Sequence, residues 1–126
     1  MSPPLRIAIA DDESEIRDHY SKIIKRLGHE VVAAVDTGNA LIEVCQRLHP
    51  DLIITDVHMP GLDGDQAVRE VWKCETIPTI LISAYDQPKD FPPAGINVAW
   101  AYLSKPVKRL DFEAAIRATM NTATFE

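Results

Sequence analysis

Cysteine is scarce in this chain, with two residues, Cys45 and Cys74, among 126. Both fall inside helical patterns and lack metal-ligand spacing. Neither a disulfide framework nor a cysteine-based metal site is predicted, and reduced thiols in a cytoplasmic protein follow. Long apolar runs are missing as well. No stretch approaches the ~20 residues of a membrane-spanning helix, and the opening Met1-Ser2-Pro3-Pro4 has neither the basic nor the apolar part of a secretory signal. Positive charge is in the minority, 13 Lys and Arg against 19 Asp and Glu, for a net charge of −6, and the cations are scattered. That excludes a surface built to neutralise nucleic-acid phosphates. No repeat, low-complexity tract or linker divides the chain. With 46% hydrophobic and 25% charged residues, it has the composition of one globular domain, with a radius of gyration of about 14 Å.

What is present is an alternation of short β-rich runs with amphipathic helical patterns. Residues 5–10 read as a strand, and Ile16, Tyr20, Ile23, Ile24 and Leu27 then recur at helical spacing before Gly28. Residues 31–35 form a second strand, followed by a helix with Ala40, Leu41, Val44, Cys45 and Leu48 on one face, stopped by Pro50. Residues 52–55 are a continuous apolar strand of the kind buried on both faces. A turn-rich Met59-Pro60-Gly61-Leu62-Asp63-Gly64 leads to a third helix carrying Ala67, Val68, Val71 and Trp72. Strands over 79–82 and 98–103 follow. Between them, Asp86 to Gly95 contains Pro88, Pro92 and Pro93, which disfavour a regular helix. Phe112, Ile116 and Met120 give the last helix its apolar stripe. Five strands alternating with about five helical segments imply a parallel sheet with helices on both faces and right-handed crossovers.

In such sheets, ligands bind beyond the carboxyl ends of the strands. Asp11, Asp12, Asp56, Ser83 and Lys105 all fall at predicted carboxyl ends, so four strands contribute polar groups to one edge. Taken alone, Asp11 or Asp12 could equally cap the following helix, with Glu15 in its acidic first turn. Ser83 alone reads as a turn residue and Lys105 as a surface charge. Asp56 has no helix behind it to cap. Crowded carboxylates raise one another's pKa, and a divalent cation would relieve them. The chemistry that fits is phosphoryl transfer onto a carboxylate, which depends mainly on positioning and charge neutralisation. Mg²⁺ suits a few carboxylates and phosphate oxygens. Asp12 is the better direct ligand of the pair, Lys105 would neutralise a phosphoryl oxygen, and Ser83 would donate a hydroxyl hydrogen bond.

From about Leu5 to Thr119, the chain resembles a response-regulator receiver domain of two-component signalling. The resemblance rests on Asp11-Asp12, Asp56, the 59–64 turn, Ser83-Ala84 and Lys105-Pro106, with separations of 44 residues from Asp12 to Asp56 and 22 from Ser83 to Lys105. It implies a flavodoxin-like, doubly wound (βα)5 fold with strand order 2-1-3-4-5, the fourth helix being short or irregular; the order is carried over from the family. The chain would be a single domain, 1–126, with a core of about 5–119 and flexible ends at 1–4 and 121–126. Asp56 would be the phosphoacceptor from a sensor histidine kinase or phosphotransfer protein, with Lys105 and Ser83 assisting. Mg²⁺ would be held by Asp11, Asp12, Asp56 and the backbone carbonyl of His58. Ser83 and Tyr102 would form the switch pair, Ser83 moving toward the phosphoryl group and Tyr102 turning inward, although Tyr102 also reads as a half-buried edge-strand aromatic. The Lys105–Pro106 bond would be cis, against about 5–6% of such bonds generally.

A phosphoryl group adds roughly −1.5 to −2 charges and would shift a two-state equilibrium by its differential contacts. The surface that changes would be the fourth helical segment, strand five and the last helix, read by a downstream effector domain or protein. No nucleic acid or membrane partner is expected, and the domain would not be a turnover enzyme. Nothing after Glu126 supplies an output, so the chain reads as a stand-alone receiver or as the N-terminal piece of a longer one. His58 and Tyr85, two residues past Asp56 and Ser83, would slow attack of water on the acyl phosphate. The Pro-bearing 86–95 stretch counts against a family-style dimer through that face. Competing readings are an unphosphorylated interaction module and a flavin carrier, though Asp11-Asp12-Glu13-Ser14 would repel a flavin phosphate. An aspartate-based phosphatase is another, but it would carry an aspartate where His58 stands.

Overall fold

Alternating side chains along the buried strands point to opposite faces, and this alternation divides the core in two. A computed structural model of the chain describes residues 3–124, the last three by backbone alone. The flexible ends expected at 1–4 and 121–126 therefore lie partly outside the described residues. The elements run β1 (Arg6–Ala10), α1 (Ser14–Arg26), β2 (Glu30–Val35), α2 (Gly38–Leu48), β3 (Leu52–Asp56), α3 (Gly64–Trp72), β4 (Thr79–Ser83), β5 (Trp100–Ser104) and α4 (Arg109–Thr124). All strand pairs are parallel, in the order β2-β1-β3-β4-β5.

Ile7, Ile9, Leu52, Ile54, Ile80 and Ile82 pack against Tyr20, Ile23 and Ile24 of α1 and Phe112, Ala115 and Ile116 of α4. On the other face, Ala8, Ala10, Ile53 and Leu81 meet Leu41, Val44 and Cys45 of α2 and Ala67, Val68, Val71 and Trp72 of α3. β3 and β4 are buried along their whole length, which is why residues 52–55 read as unbroken apolar sequence. No helix of the described residues is long and apolar enough to cross a membrane.

Helix boundaries follow local chemistry. The Thr37 hydroxyl accepts the Ala40 N–H at 3.1 Å and caps α2. His49, with φ 48°, ends α2 in the left-handed region, and Pro50 prevents its continuation. Glycine is required at Gly64. A Cβ there would stand 2.0 Å from the Asp56 carbonyl and 2.8 Å from Thr55 Oγ1, so its absence lets α3 begin directly against the end of β3.

Among the described residues, four helices are present. The crossover from β4 to β5 is made of turns and bends, as the prolines imply. One aromatic residue does the anchoring that a helix would otherwise do. Phe91, 7% exposed, packs edge to face on Trp100 at 5.1 Å and tilted on Trp72 at 5.2 Å. The Arg69 guanidinium lies 5.8 Å from its ring centre and donates to the Asp90 carbonyl at 2.7 Å. The peptide bonds Phe91–Pro92 and Lys105–Pro106 are cis, the second as the resemblance implies.

Candidate acidic site at the carboxyl edge of the sheet

The pairing register brings the polar strand ends together. Asp56 lies opposite Ile82, and Ser83 opposite Ser104, so β3, β4 and β5 finish at nearly one level. Each of these strands runs a residue further than its apolar run, because the polar end residue still takes part in the ladder. Asp11 follows β1 and donates its N–H to Val35 at 3.0 Å, which fixes the first acidic residue against the end of β2.

Asp11 is fully buried and Asp56 is 5% exposed, whereas Asp12 is exposed. One carboxylate oxygen from each of Asp11, Asp12 and Asp56 lies within 4.8 Å of the other two, the sole such trio of potential metal ligands among the described residues. The Lys105 ammonium donates to Asp11 Oδ2 and Asp56 Oδ2 at 3.3 Å each. Burial pushes the Asp56 carboxyl above the ordinary carboxylate range, and Asp11 and Asp12 add to that while Lys105 opposes it. Burial works against the charge on Lys105, yet Asp56 and Asp11 outweigh it and raise its pKa. Three carboxylates facing one ammonium leave the site short of positive charge. Clustered oxygen donors at that spacing fit a hard divalent cation.

Neither Asp11 nor Asp12 caps α1. The N-cap is Glu13, which makes no side-chain cap bond. Asp11 Oδ1 instead accepts the Glu13 N–H at 2.9 Å, closing a turn around Asp12, the exposed member of the trio. Arg17 holds this loop from α1 by donating to the Asp11 carbonyl at 2.7 Å. That contact was absent from the sequence reading, although a basic residue one turn into a helix behind an acidic loop is a usable signal.

Ser83 is fully buried. Its hydroxyl accepts the Tyr85 N–H at 3.0 Å, the turn bond that the plainer reading of this residue anticipates, and its proton is left for another acceptor. The Tyr102 hydroxyl donates to the Tyr85 carbonyl. The Tyr85 ring meets His58 edge to face at 4.9 Å and is 70% exposed. Tyr85 thus joins Ser83, Tyr102 and His58, a node that no spacing in the sequence announces. Behind the site, the Tyr20 phenol is buried against Phe112; burial, with the site's carboxylates adding and Lys105 opposing, pushes it up to about 12.

The chain matches the family model for the response regulator receiver domain over residues 7–117. It is 32% identical over 118 residues to the transcriptional regulatory protein PdtaR of Mycobacterium tuberculosis, covering 94% of this chain and 58% of that protein. It thus spans little more than half the length of that relative. Among solved structures, the DNA-binding response regulator of the LuxR family from Staphylococcus aureus superposes with a TM-score of 0.77 at 26% identity, covering 90% of this chain and 96% of that one. The PhyR response regulator REC domain of Erythrobacter litoralis gives 0.81 at 21% identity, covering 94% and 92%, and shares the fold. With the receiver model matched over residues 7–117 of the 126, and acidic and basic groups gathered at one sheet edge, the chain belongs to the response regulator receiver domain family.

Proposed function

We propose that the domain takes a phosphoryl group onto Asp56 from a sensor histidine kinase or a phosphotransfer protein, in the cytoplasm, and works as a switch rather than a turnover enzyme. The observation that carries this reading is the Asp56 carboxylate itself. It is almost fully buried, ends a central strand, lies 3.3 Å from Lys105 Nζ, and shares a 4.8 Å cluster with Asp11 and Asp12. A structural carboxylate gains nothing from two acidic neighbours, whereas a phosphoryl acceptor needs the cation they would hold.

An Asp56 oxygen attacks phosphorus on the donor. The new O–P bond forms as the donor's N–P bond breaks, and the donor imidazole leaves with the electron pair. Lys105 exchanges its bond to Asp56 for one to a phosphoryl oxygen, and the Ser83 hydroxyl proton serves a second oxygen. Asp11, Asp12, Asp56 and the His58 carbonyl would hold Mg²⁺, which supplies the charge neutralisation that phosphoryl transfer relies on. Ser83 and Tyr102 are the switch pair. Both bear on the Tyr85 peptide, so a change at Ser83 reaches β5 through one residue. The surface read by an effector domain or protein is then the 84–99 segment, β5 and α4.

Incubation with a small-molecule phosphodonor and Mg²⁺, followed by intact-mass measurement, tests this. One phosphoryl adduct is expected, absent in Asp56→Asn and in protein stripped of divalent cations. No adduct from the small donor or from any histidine kinase would overturn the reading and leave an interaction module in its place.

A further inference from the structure

Away from the acidic edge, the ends of α2 and α3 border an open pocket of about 380 Å³ lined by Cys45, Gln46, His49, Val71, Cys74 and Glu75. Both cysteines of the chain line it, Cys45 buried and Cys74 exposed. Cys45 and His49 lie four residues apart at the end of α2, and Cys74 and Glu75 sit in the turn after α3. The sequence separates these pairs by 25 residues, which is why no ligand spacing is visible in it.

His49 is held in place from both sides. Its backbone occupies the left-handed region, with the N–H bonded to the Cys45 carbonyl at 3.0 Å, a conformation uncommon for residues with a Cβ. Its Nδ1 lies 2.8 Å from Glu75 Oε1. A carboxylate on Nδ1 keeps the proton there and leaves Nε2 with its lone pair, the arrangement by which metal-binding histidines are oriented.

We propose that Cys45, Cys74 and His49 form a site for a borderline-soft divalent cation of the zinc type, with Glu75 as the positioning residue for the imidazole. Two thiolates and an imidazole are donors that zinc accepts and magnesium does not. This site therefore discriminates against the ion that suits the acidic one. The ligand atoms have still to close up, since among the described residues only the aspartate trio already lies within 4.8 Å. Of the two thiols, Cys74 is the exposed one, on the turn after α3. Each thiol gives up its proton on binding.

The test is titration of the full chain, reduced with a phosphine, with Cd²⁺ as a spectroscopic stand-in for zinc. The expected result is a thiolate-to-metal charge-transfer band that saturates at one equivalent, a signal that metal bound to the aspartate trio cannot give. The band should vanish in Cys74→Ser, an exposed position that spares the core. Affinity should fall about tenfold or more in His49→Gln. Zinc should raise the melting temperature of the parent protein by more than that of Cys74→Ser, which keeps the aspartate trio. Absence of the band at saturating Cd²⁺, or a band unchanged in Cys74→Ser, overturns the proposal.

Discussion

His58 and Tyr85 put two rings at the rim of a carboxylate edge, and their edge-to-face contact gives the pair a joint shape that neither would hold alone. Under the proposed function, they restrict the approach of water to the acyl phosphate. Replacing both with alanine should shorten the dephosphorylation half-life about tenfold, equivalent to about 1.4 kcal/mol in the barrier. An unchanged half-life would show that the rings only decorate the rim. Asp56 itself should reveal the cost of its position. Its pKa is raised above the ordinary value, so the folded chain holds this proton more tightly than the unfolded chain does. The ionised form at neutral pH therefore works against folding. Asp56→Asn should accordingly raise the melting temperature in the absence of divalent cations, and calorimetry showing a fall would mean that the bond to Lys105 dominates. Asp56 was legible in the sequence because an apolar run ended there with no helix behind it. Tyr85 was less so: its position beside the site was readable, but its N–H and carbonyl do the connecting, and backbone groups look alike in every residue.

Among the elements, the crossover between β4 and β5 departs most from its surroundings. Three prolines foretold the missing helix. They could not foretell that Phe91 would fill the gap, since a lone aromatic amid Lys, Asp and Pro carries no periodicity. Its ring sits between Trp72 and Trp100 with Arg69 beside it. Phe91→Ala should cost about 3–4 kcal/mol of stability through the cavity it leaves, measured by denaturant unfolding. A loss below about 1 kcal/mol would mean that the bonds from the Arg69 guanidinium to the Lys89 and Asp90 carbonyls hold the segment without the ring. The strands were legible to within a residue or two, because full burial of β3 and β4 leaves apolar runs that polar ends interrupt.

At the scale of the whole molecule, His29 should contribute to the pH dependence of stability. Its Nδ1 accepts the Leu5 N–H at 3.0 Å, tying the start of β1 to the chain entering β2, and burial lowers its pKa from 6.5. The unfolded chain takes up the proton first. The stability gained from the neutral imidazole is whole above pH 6.5 and is lost as pH falls through the lower folded value. Unfolding measured from about pH 7.5 to about pH 5 should lose stability more steeply in the parent protein than in His29→Gln, and parallel slopes would contradict this. Under the proposed function, Ser83 needs only its hydroxyl proton reassigned to serve a phosphoryl oxygen, since its own oxygen is already tied to the Tyr85 N–H.

The two bonds from Lys105 reach back 49 residues to Asp56 and 94 residues to Asp11. No short stretch of the chain contains even a partial version of this constellation. A nascent, nicked or partly unfolded polypeptide therefore presents an ordinary, fully hydrated aspartate at position 56, indistinguishable from dozens of others in a cell. Under the proposed function, competence to receive a phosphoryl group requires these long-range contacts, so the population able to respond is the population that is natively folded.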